Sequence, residues 1–410
     1  MTVNQTSFAG LLKRHYSPDK VLNLAYKNRP FLGLVPKKKD WGGSSYDVPM
    51  IYGDPVAGRS QSISNASTNR SSAQVRNEVF VLTSAPNYSE VPIAGETIAS
   101  SRANGGRDVF INAVQSSVQG AINGLANDLA FALFRDGSGA RGQIKIGSTV
   151  TAATTITLEQ AKDAHYFEVG MVIVAGSGSD GSNIKQVNSV DNSLSITGVD
   201  RQAGTLTFSA AVDSFSANDW AAADYLFVQG DPTAKISGLG DWLPTGTPAA
   251  LFGVTRTTDR SRLAGLVVAA QGTIEETLIE AMSEVSLNGG EPTHCFMHHS
   301  DLAALTRELG SQVQRGDAGK AGLGYQSIML YGPNGLVACV ADRGCPKGRA
   351  YMLDMSTWLL ASRGETMFID MDDGQKFDRI DGSDAVVVRV KSYSQLGCRA
   401  PGHNATITLP

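Results

Sequence analysis

The most regular pattern of apolar positions lies between residues 107 and 135, and it predicts one long helix. Apolar side chains recur there at steps of three and four residues with no intervening proline, which places them on one face of a helix. Asn104 is a candidate N-cap, and Gly137 is a candidate stop. The apolar stripe consists of Phe110, Val114, Val118, Ile122, Leu125, Leu129 and Leu133.

Two glycines lie inside this predicted helix. Gly120 and Gly124 each lower helix stability by about 1 kcal/mol relative to alanine. A second backbone that approaches the helix closely would account for residues without a side chain at these positions. We therefore expect tight packing at Gly120 and Gly124, beside the apolar stripe.

Upstream of the helix, two runs of alternating polarity predict a long two-stranded hairpin. They cover residues 45–52 and 73–83 and flank a polar tip. In the second run Val75, Val79 and Val81 alternate with the residues between them, so we expect these valines to form the covered face. A hairpin of this kind is marginal in water, and it must lie against its own body or against the next subunit.

Residues 143–230 are richer in Thr, Ser and Val, and they predict an inserted β domain. Short strand-like runs alternate there with turn residues at the spacing of a small barrel or sandwich. Turns rich in glycine at residues 137–139 and 230–232 mark its boundaries. The predicted strands are residues 167–175, 184–190, 194–198, 205–208 and 225–228.

The rest of the chain predicts an α+β body. Thr273 and Glu276 have the spacing of a capping box, which opens a helix that Gly289 ends. Ser300 is expected to cap a second, shorter helix that ends at Gly310. Strands from both ends of the chain are expected to share one sheet. The predicted body strands are residues 293–297, 335–341, 349–353 and 385–390.

Length and charge add an N-terminal arm to this picture. A chain of 410 residues is expected to form about two to four subdomains. Residues 1–40 contain eight basic and two acidic residues, a net charge of +6, so the total of −4 leaves −10 for the remainder. Residues 18–25 predict a short helix, and two X-Pro steps follow it, so we expect an extended arm. The arm would dock on neighbouring subunits or a scaffold; a solvated, frayed terminus is the alternative.

Other segments bear on location and redox state. Residues 1–10 lack the pattern of a secretory signal, and the longest apolar run, residues 263–270, is too short to cross a bilayer. We therefore expect a cytosolic chain without a membrane span, whose thiols stay reduced. The cysteines, which lack a C-x-x-C spacing, are Cys295, Cys339, Cys345 and Cys398.

Candidate chemistry is sparse. Residues 294–299 hold three histidines and a cysteine, but on a strand Cys295 would point away from His294 and His298, so we favour a structural reading over a zinc site. Residues 370–374 lack the full calcium-loop pattern and are read as a polar turn. No nucleophile motif and no phosphate-binding loop occurs. We expect no catalytic, cofactor or metal site, and a protein that is not an enzyme.

The order of arm, hairpin, long helix and α+β body resembles the major capsid proteins of tailed bacteriophages, which have the Hong Kong 97 fold. Residues 256–265, 291–305, 351–358 and 393–398 carry the resemblance most closely. It implies an N-terminal arm (1–40), an E-loop hairpin (41–92), a spine helix of the peripheral domain (93–142), the inserted β domain (143–230), an axial domain (231–350) and strands that return to the peripheral and axial domains (351–410).

The resemblance also implies a function. The chain would self-assemble into pentamers and hexamers of an icosahedral head that encloses double-stranded DNA without sequence-specific binding. The implied place is the virion capsid, assembled in the host cytoplasm, and the implied partners are a separate scaffolding protein, a portal and a decoration protein. No lysine lies between Lys39 and Lys145, so we expect no isopeptide lock between subunits.

Basic residues of the arm and hairpin are the candidate subunit contacts: Lys37, Lys38, Lys39, Arg59, Arg70 and Arg76. The alternative interpretation of the three hairpin arginines is that they are solvated loop residues and contribute little to any contact. Two other functions remain open, an encapsulin-like protein nanocompartment and a β-rich phage tail component.

Overall fold

The computed structural model gives a mixed α+β fold, as expected. Among the described residues, no helix is long and apolar enough to span a membrane. The structure describes residues 29–54, 59–70, 74–96, 107–187, 193–212, 219–310, 327–333, 335–364, 366, 368–369, 378–379, 382 and 384–410.

The described helices are named in chain order. They are α1 (Pro30–Leu34), α2 (Ile63–Asn69), α3 (Arg107–Ala132), α4 (Leu239–Trp242), α5 (Arg260–Leu263), α6 (Ile274–Leu287) and α7 (His299–Leu309). Short 3₁₀ helices cover Ala161–Tyr166, Met355–Thr357 and Pro401–His403.

The described strands form three six-stranded sheets and one two-stranded ribbon. They are β1 (Lys37–Lys38), β2 (Ser45–Gly53), β3 (Arg76–Thr83), β4 (Ala85–Ala94), β5 (Gly142–Gln143), β6 (Ala153–Thr157), β7 (Val172–Gly176), β8 (Leu194–Asp200), β9 (Thr205–Val212), β10 (Tyr225–Val228), β11 (Leu266–Val268), β12 (His294–Met297), β13 (Ser327–Gly332), β14 (Gly335–Ala341), β15 (Arg349–Leu353), β16 (Trp358–Ser362), β17 (Phe368–Ile369), β18 (Asp378–Arg379), β19 (Ala385–Cys398) and β20 (Ala405–Thr408).

The first sheet joins the two ends of the chain. Its central strand, β19, pairs antiparallel with β4 from Ala385 opposite Ala94 to Ser394 opposite Ala85. On its other side β19 pairs with β16, and β16 pairs in parallel with β1. The prediction that both ends share one sheet is therefore confirmed. The sequence pattern does not separate β4 from the hairpin that precedes it.

Helix α3 is the long helix that the apolar stripe predicts. Its 26 residues span about 39 Å at 1.5 Å per residue. Leu125 and Leu129 are buried, and the half-buried Val118 packs against a small cluster on β4 and β19. The chain leaves the helix through Gly137, whose φ of 82° is a left-handed conformation that glycine adopts without strain. The candidate cap Asn104 and the side chains of Phe110 and Val114 lie outside the described residues.

The second sheet closes on itself and is here called the barrel. Its strand order is β5-β10-β7-β8-β9-β6, and a bridge between Ile144 and Leu158 joins the two end strands. Its interior holds a separate apolar cluster, in which Trp220 and Phe208 meet edge to face at 5.5 Å. Each strand therefore has a partner on both sides over part of its length, and the apolar face of the sheet is enclosed.

The strands of the barrel differ from the predicted ones at residues 184–190 and at β6. Residues 184–187 make only isolated bridges, such as that of Gln186 with Asp219, instead of a strand, and residues 188–190 lie outside the described part. Strand β6 was not expected, because threonines dominate its sequence and only Ile156 is buried. A strand with one inward side chain carries little alternation for a sequence reading to detect.

The third sheet forms the body that carries α6 and α7. Its strand order is β11-β20-β15-β12-β14-β13. The predicted capping box of α6 is confirmed, because Glu276 N donates to Thr273 Oγ1 and Thr273 N donates to Glu276 Oε2. The predicted cap of α7 at Ser300 is wrong. The N-cap is His298, whose Nδ1 accepts a hydrogen bond from the Ser300 amide at 3.1 Å.

The segment before β1 is anchored in the main core. Phe31 of α1 is fully buried, with ring centroids 5.2 Å from Phe134 and 5.1 Å from Phe296. Its backbone amide donates a hydrogen bond to Asp342 Oδ2 at 3.1 Å. Burial raises the pKa of Asp342 to about 6, although this hydrogen bond opposes the rise. The prediction of an extended arm through residue 40 is therefore wrong for residues 30–34, which form a helix that starts at Pro30 and is stabilised by the burial of its apolar side chains. The helix predicted at residues 18–25 lies outside the described residues.

Candidate subunit-contact surfaces

The inner face of the β2–β3 ribbon is docked on its own body. Its buried side chains belong to the main core, and the ring of Phe80 lies 4.9 Å from that of Trp242. The backbone amide of Val81 donates to the carbonyl of Phe252 at 3.1 Å. The inner-face residues are Val48, Met50, Phe80 and Leu82.

The outer face of the ribbon is apolar and uncovered. Val79 and Val81 are 39% and 41% exposed, and Pro49 and Ile51 on β2 are exposed beside them. The prediction that these valines form the covered face is therefore wrong. Alternation defines two faces but not which one is buried, and Phe80 with Leu82 offers more apolar area than the valines.

The tip of the ribbon holds the short helix α2. Ile63 at its start is 84% exposed, and Ala66 is the one half-buried side chain among those described in the helix. Arg59 and Arg70 flank the helix and are exposed, and no acidic residue lies between them. Nothing within the described chain covers this helix, which has a positive charge at each end.

The other basic candidates lie near the first sheet and the ribbon. Lys37 and Lys38 form β1, and their backbones pair with Leu360 and Ala361 while their side chains are exposed. Lys39 and Arg76 are exposed as well. The structure thus places the predicted basic residues on two separate surfaces, one at β1 and one on the ribbon.

The two glycines of α3 make no close contact within the described chain. Gly120 and Gly124 are both exposed, and no atom of another element lies within 4 Å of a Cβ placed on either residue. The close backbone approach expected there is therefore not made inside the described part of one subunit. On the neighbouring positions Arg29 Nε donates to Asn127 Oδ1 at 2.7 Å, and its Nη2 donates to the carbonyl of Asn123. Ile122 is half-buried.

A compact cluster of charges ties the barrel to α3. Asp128 of α3 is ion-paired with Arg141 and with Lys235, the latter at 2.6 Å. Asp231 completes the cluster at 3.0 Å from Lys235 and 3.5 Å from Arg141. Arg141 lies at the entry to the barrel, and Asp231 and Lys235 lie at its exit. The cluster thus joins both connections of the barrel to one helix.

Burial and the neighbouring charges shift the pKa values of the two carboxylates in the cluster. Burial acts to raise the pKa of Asp128, but Arg141 and Lys235 outweigh it and lower this pKa to about 2. Burial raises the pKa of Asp231, and the nearby Asp128 adds to this effect. A carboxylate held ionised by two cations is a poor proton donor near neutral pH. The cluster therefore suits fixing the barrel in place, not proton transfer.

Sequence reasoning missed this cluster because its members are far apart in the chain. Asp128 and Lys235 are separated by 107 positions, and no pattern links them. The available clue was indirect. Charged residues stand within or close to both boundary turns of the barrel, where its chain connects to the body.

The histidine-rich segment serves a structural purpose in the described chain. Cys295 is fully buried, and the His298 side chain caps the N-terminus of α7. Burial lowers the pKa of His298 to about 4. Among the described residues, no group of three or more His, Cys, Asp or Glu side chains is arranged to hold a metal ion. Residues 370–374 lie outside the described part. All four cysteines are buried and free.

A solved structure shares the fold of this chain, although no known sequence family matches it. No model of a known protein family matches the chain, and no curated protein sequence matches it. Among solved structures, a chain of the cyanophage A-1(L) capsid asymmetric unit matches at 12% identity over 98% of both chains, with a TM-score of 0.54. A chain from Mycobacterium phage Ogopogo matches at 11% identity over 100% of both chains, with a TM-score of 0.47.

A chain of the holo-SrpI encapsulin complex from Synechococcus elongatus PCC 7942 matches at 10% identity, over 98% of this chain and 94% of that one, with a TM-score of 0.46. At such low identity the cyanophage match shows the fold alone. The chain has the fold of a phage capsid protein along nearly its whole length.

Proposed function

We propose that the chain is a major capsid subunit of a tailed bacteriophage, a structural protein and not an enzyme. The observation that carries the proposal is the fold likeness to the cyanophage capsid chain over 98% of both chains. The uncovered apolar face of the ribbon and the exposed helix at its tip support it, because such surfaces mark sites of association. Many copies would form pentamers and hexamers that close into an icosahedral shell around double-stranded DNA.

Within this proposal the observed elements take the roles of a Hong Kong 97 subunit. The ribbon is the E-loop, α3 is the spine helix on the peripheral sheet, and the third sheet with α6 and α7 is the axial domain. The barrel is an inserted domain of residues 143–230. Residues before 41 act as the N-terminal arm, and its described part begins with the buried anchor α1.

The proposed contacts follow from these roles. Arg59, Arg70 and Arg76 reach a neighbouring subunit from the ribbon, and residues 37–39 do so beside the first sheet. The open surface at Gly120 and Gly124 is where a second backbone, absent from the isolated chain, packs against α3. A separate scaffolding protein, a portal and a decoration protein complete the assembly, which takes place in the host cytoplasm before the chain resides in the virion capsid.

The test is electron microscopy of the chain expressed alone and together with a candidate scaffolding protein from the same genome. The expected result is closed icosahedral shells built from this chain. Fibres or stacked rings would contradict the capsid role and favour a tail component. Shells that package a protein cargo instead of DNA would favour a nanocompartment.

The covalent state of the shell gives a second readout. With no lysine between Lys39 and Lys145, the ribbon has no amine for an isopeptide bond. Mature shells should therefore dissociate to single chains on a denaturing gel. A ladder of covalent oligomers under reducing conditions would contradict this expectation.

A further inference from the structure

Helix α6 presents an outer face that no described part of the chain covers. Its inner face, with Leu278 and Met282, is fully buried on the third sheet. On the outer face Ile279 is 43% exposed, and Leu287 is 78% exposed. A helix that buries one face and still exposes two large apolar side chains on the other has the composition of an interface.

This outer face carries negative charge only. The helix contains four glutamates and no basic residue, and Glu276 is already engaged in the capping box. Glu280, which is exposed, and Glu284, which is half-buried, lie one and two turns beyond Glu276 along the helix, and Glu280 directly follows Ile279 in the sequence. A partner of this face must therefore bring positive charge together with an apolar side chain.

The tip of the ribbon has these complementary properties. It joins the most exposed isoleucine of the described chain, Ile63, to two arginines, Arg59 and Arg70, with no acidic residue between them. A helix of seven residues is too short to be stable by itself in water. The helix α2 thus requires a surface that its own subunit does not supply.

We propose that α2 of one subunit lies across the outer face of α6 of a second copy of the chain, with Ile63 packed on Ile279 and the flanking arginines paired with Glu280 and Glu284. This inference rests on the capsid function proposed above. The two surfaces are different patches of the same chain, so the contact is heterologous, and its repetition around an axis closes a ring.

The glutamates of α6 also fix where on the helix the tip lies. Beside Asn288, at the C-terminal end of the helix, a groove between the ribbon and the body is lined by Arg262 and Arg399 and by the acidic Asp54 and Glu78. The charges of these four side chains balance, so the groove has no excess of negative charge to attract a basic partner. The tip is therefore placed on the stretch around Ile279 to Glu284 and not at the end of the helix.

Cysteine cross-linking in assembled shells tests this contact directly. Ser67 lies on the same side of α2 as Ile63, and Ser283 lies one turn from Ile279 on α6. The Ser67→Cys/Ser283→Cys variant should give a ladder of linked subunits on a non-reducing denaturing gel after mild oxidation. The four native cysteines are buried, so the parent chain should give no ladder.

The matched control is Ser67→Cys/Ser195→Cys, which moves the second cysteine to strand β8 of the barrel. It should give no ladder. If shells form and the α6 variant stays unlinked, or if both variants link equally, the contact is overturned while the capsid function stands. If the parent chain forms no shells, the capsid function fails first.

Charge reversal with rescue tests the pairing. Glu280→Lys/Glu284→Lys should lower the yield of shells at least about tenfold, because like charges then face each other. Adding Arg59→Glu/Arg70→Glu to the same chain should restore the yield to within about twofold. The control is Glu168→Lys/Asp180→Lys, which reverses the charge of two exposed acidic residues of the barrel and changes the net charge by the same amount. It should leave the yield of shells unchanged. An unaffected yield in the first variant, or no recovery in the fourfold variant, would overturn the proposal.

Discussion

The barrel and the ribbon are both β structures attached to the same body, yet they obtain their stability in different ways. The barrel pairs its first and last strands and fills its interior with its own apolar cluster. The ribbon has two strands and buries its inner face, with Phe80 and Leu82, in the core of the body. Its outer face and its tip are exposed. The barrel encloses its apolar face within one subunit, whereas the outer face and tip of the ribbon stay uncovered there. If the chain assembles as proposed above, assembly is expected to change the ribbon far more than the barrel.

The largest effect should come from removing the anchor of the ribbon. Phe80→Ala deletes a fully buried ring that packs on Trp242, and it should lower the free energy of unfolding of the unassembled subunit by about 3 to 5 kcal/mol. Urea titration followed by tryptophan fluorescence measures this change. Val81→Ala, on the opposite face of the same strand, should cost under about 0.5 kcal/mol. Equal losses in both variants would show that the ribbon is not anchored by its inner face.

The next effect should come from the charge cluster at the base of the barrel. Asp128→Ala leaves Arg141 and Lys235 with Asp231 as their only carboxylate in the cluster, and it should cost about 2 to 3 kcal/mol because both cations are nearly buried. Urea titration of the subunit measures the loss, and hydrogen exchange should show new opening at residues 137–141. Glu168→Gln, which breaks the exposed pair with Arg201, should cost under about 1 kcal/mol. If both variants lose the same amount, the cluster does not anchor the barrel.

A smaller, pH-dependent effect should arise at Asp163, beside the junction of barrel and body. Burial raises its pKa to about 6, although Arg135 opposes the rise. Between the unfolded value of 3.8 and about 6, the folded chain holds a proton that the unfolded chain has lost, so this stabilisation disappears as the pH rises through about 6.

Asp163→Asn should therefore raise the free energy of unfolding by about 1 to 2 kcal/mol at pH 7 and leave it unchanged at pH 4. Urea titrations of both proteins at the two pH values provide the measurement. Asp342 titrates in the same range but is present in both proteins, so the difference between them isolates Asp163. A gain of equal size at both pH values would contradict the assigned ionisation.

The smallest effect on the free subunit should come from the tip of the ribbon. Ile63→Ser should change the free energy of unfolding by under about 0.5 kcal/mol, because the side chain already faces solvent. The corresponding change inside the barrel, Ile156→Ser, should cost about 2 kcal/mol or more. Urea titration compares the two variants. A large loss at Ile63 would mean that the tip is packed within its own subunit.

The same contrast explains what the sequence could predict. The helix α3 and the capping box of α6 were found because each depends on residues within a few positions of one another. The buried face of the ribbon was assigned wrongly because Val79 and Phe80 both fit an alternating strand, and only the distant Trp242 decides which one is covered. Local patterns thus predicted the elements, but not which of their faces meet.

The candidate contacts were predictable to the same limited degree. Arg59 and Arg70 stand out as basic residues in a polar tip, but the pairing proposed for them with Glu280 would involve two subunits and cannot be predicted from one sequence. The charge cluster escaped prediction because Asp128 and Lys235 meet only after the barrel has brought its two ends together. The cap of α7 was misassigned by two positions, since His298 and Ser300 both carry side chains able to accept an amide hydrogen bond.

The close spacing of the barrel's entry and exit has a consequence for how such a chain can be rebuilt. The amide of Thr233 donates to the carbonyl of Ser138 at 3.0 Å, so the two connections run side by side before the barrel begins. We therefore expect the body to accept another domain whose own termini are adjacent, with Arg141, Asp231 and Lys235 retained at the point of attachment. A foreign module could be grafted between residues 142 and 230 without cutting a strand of the body, which makes this position a display site.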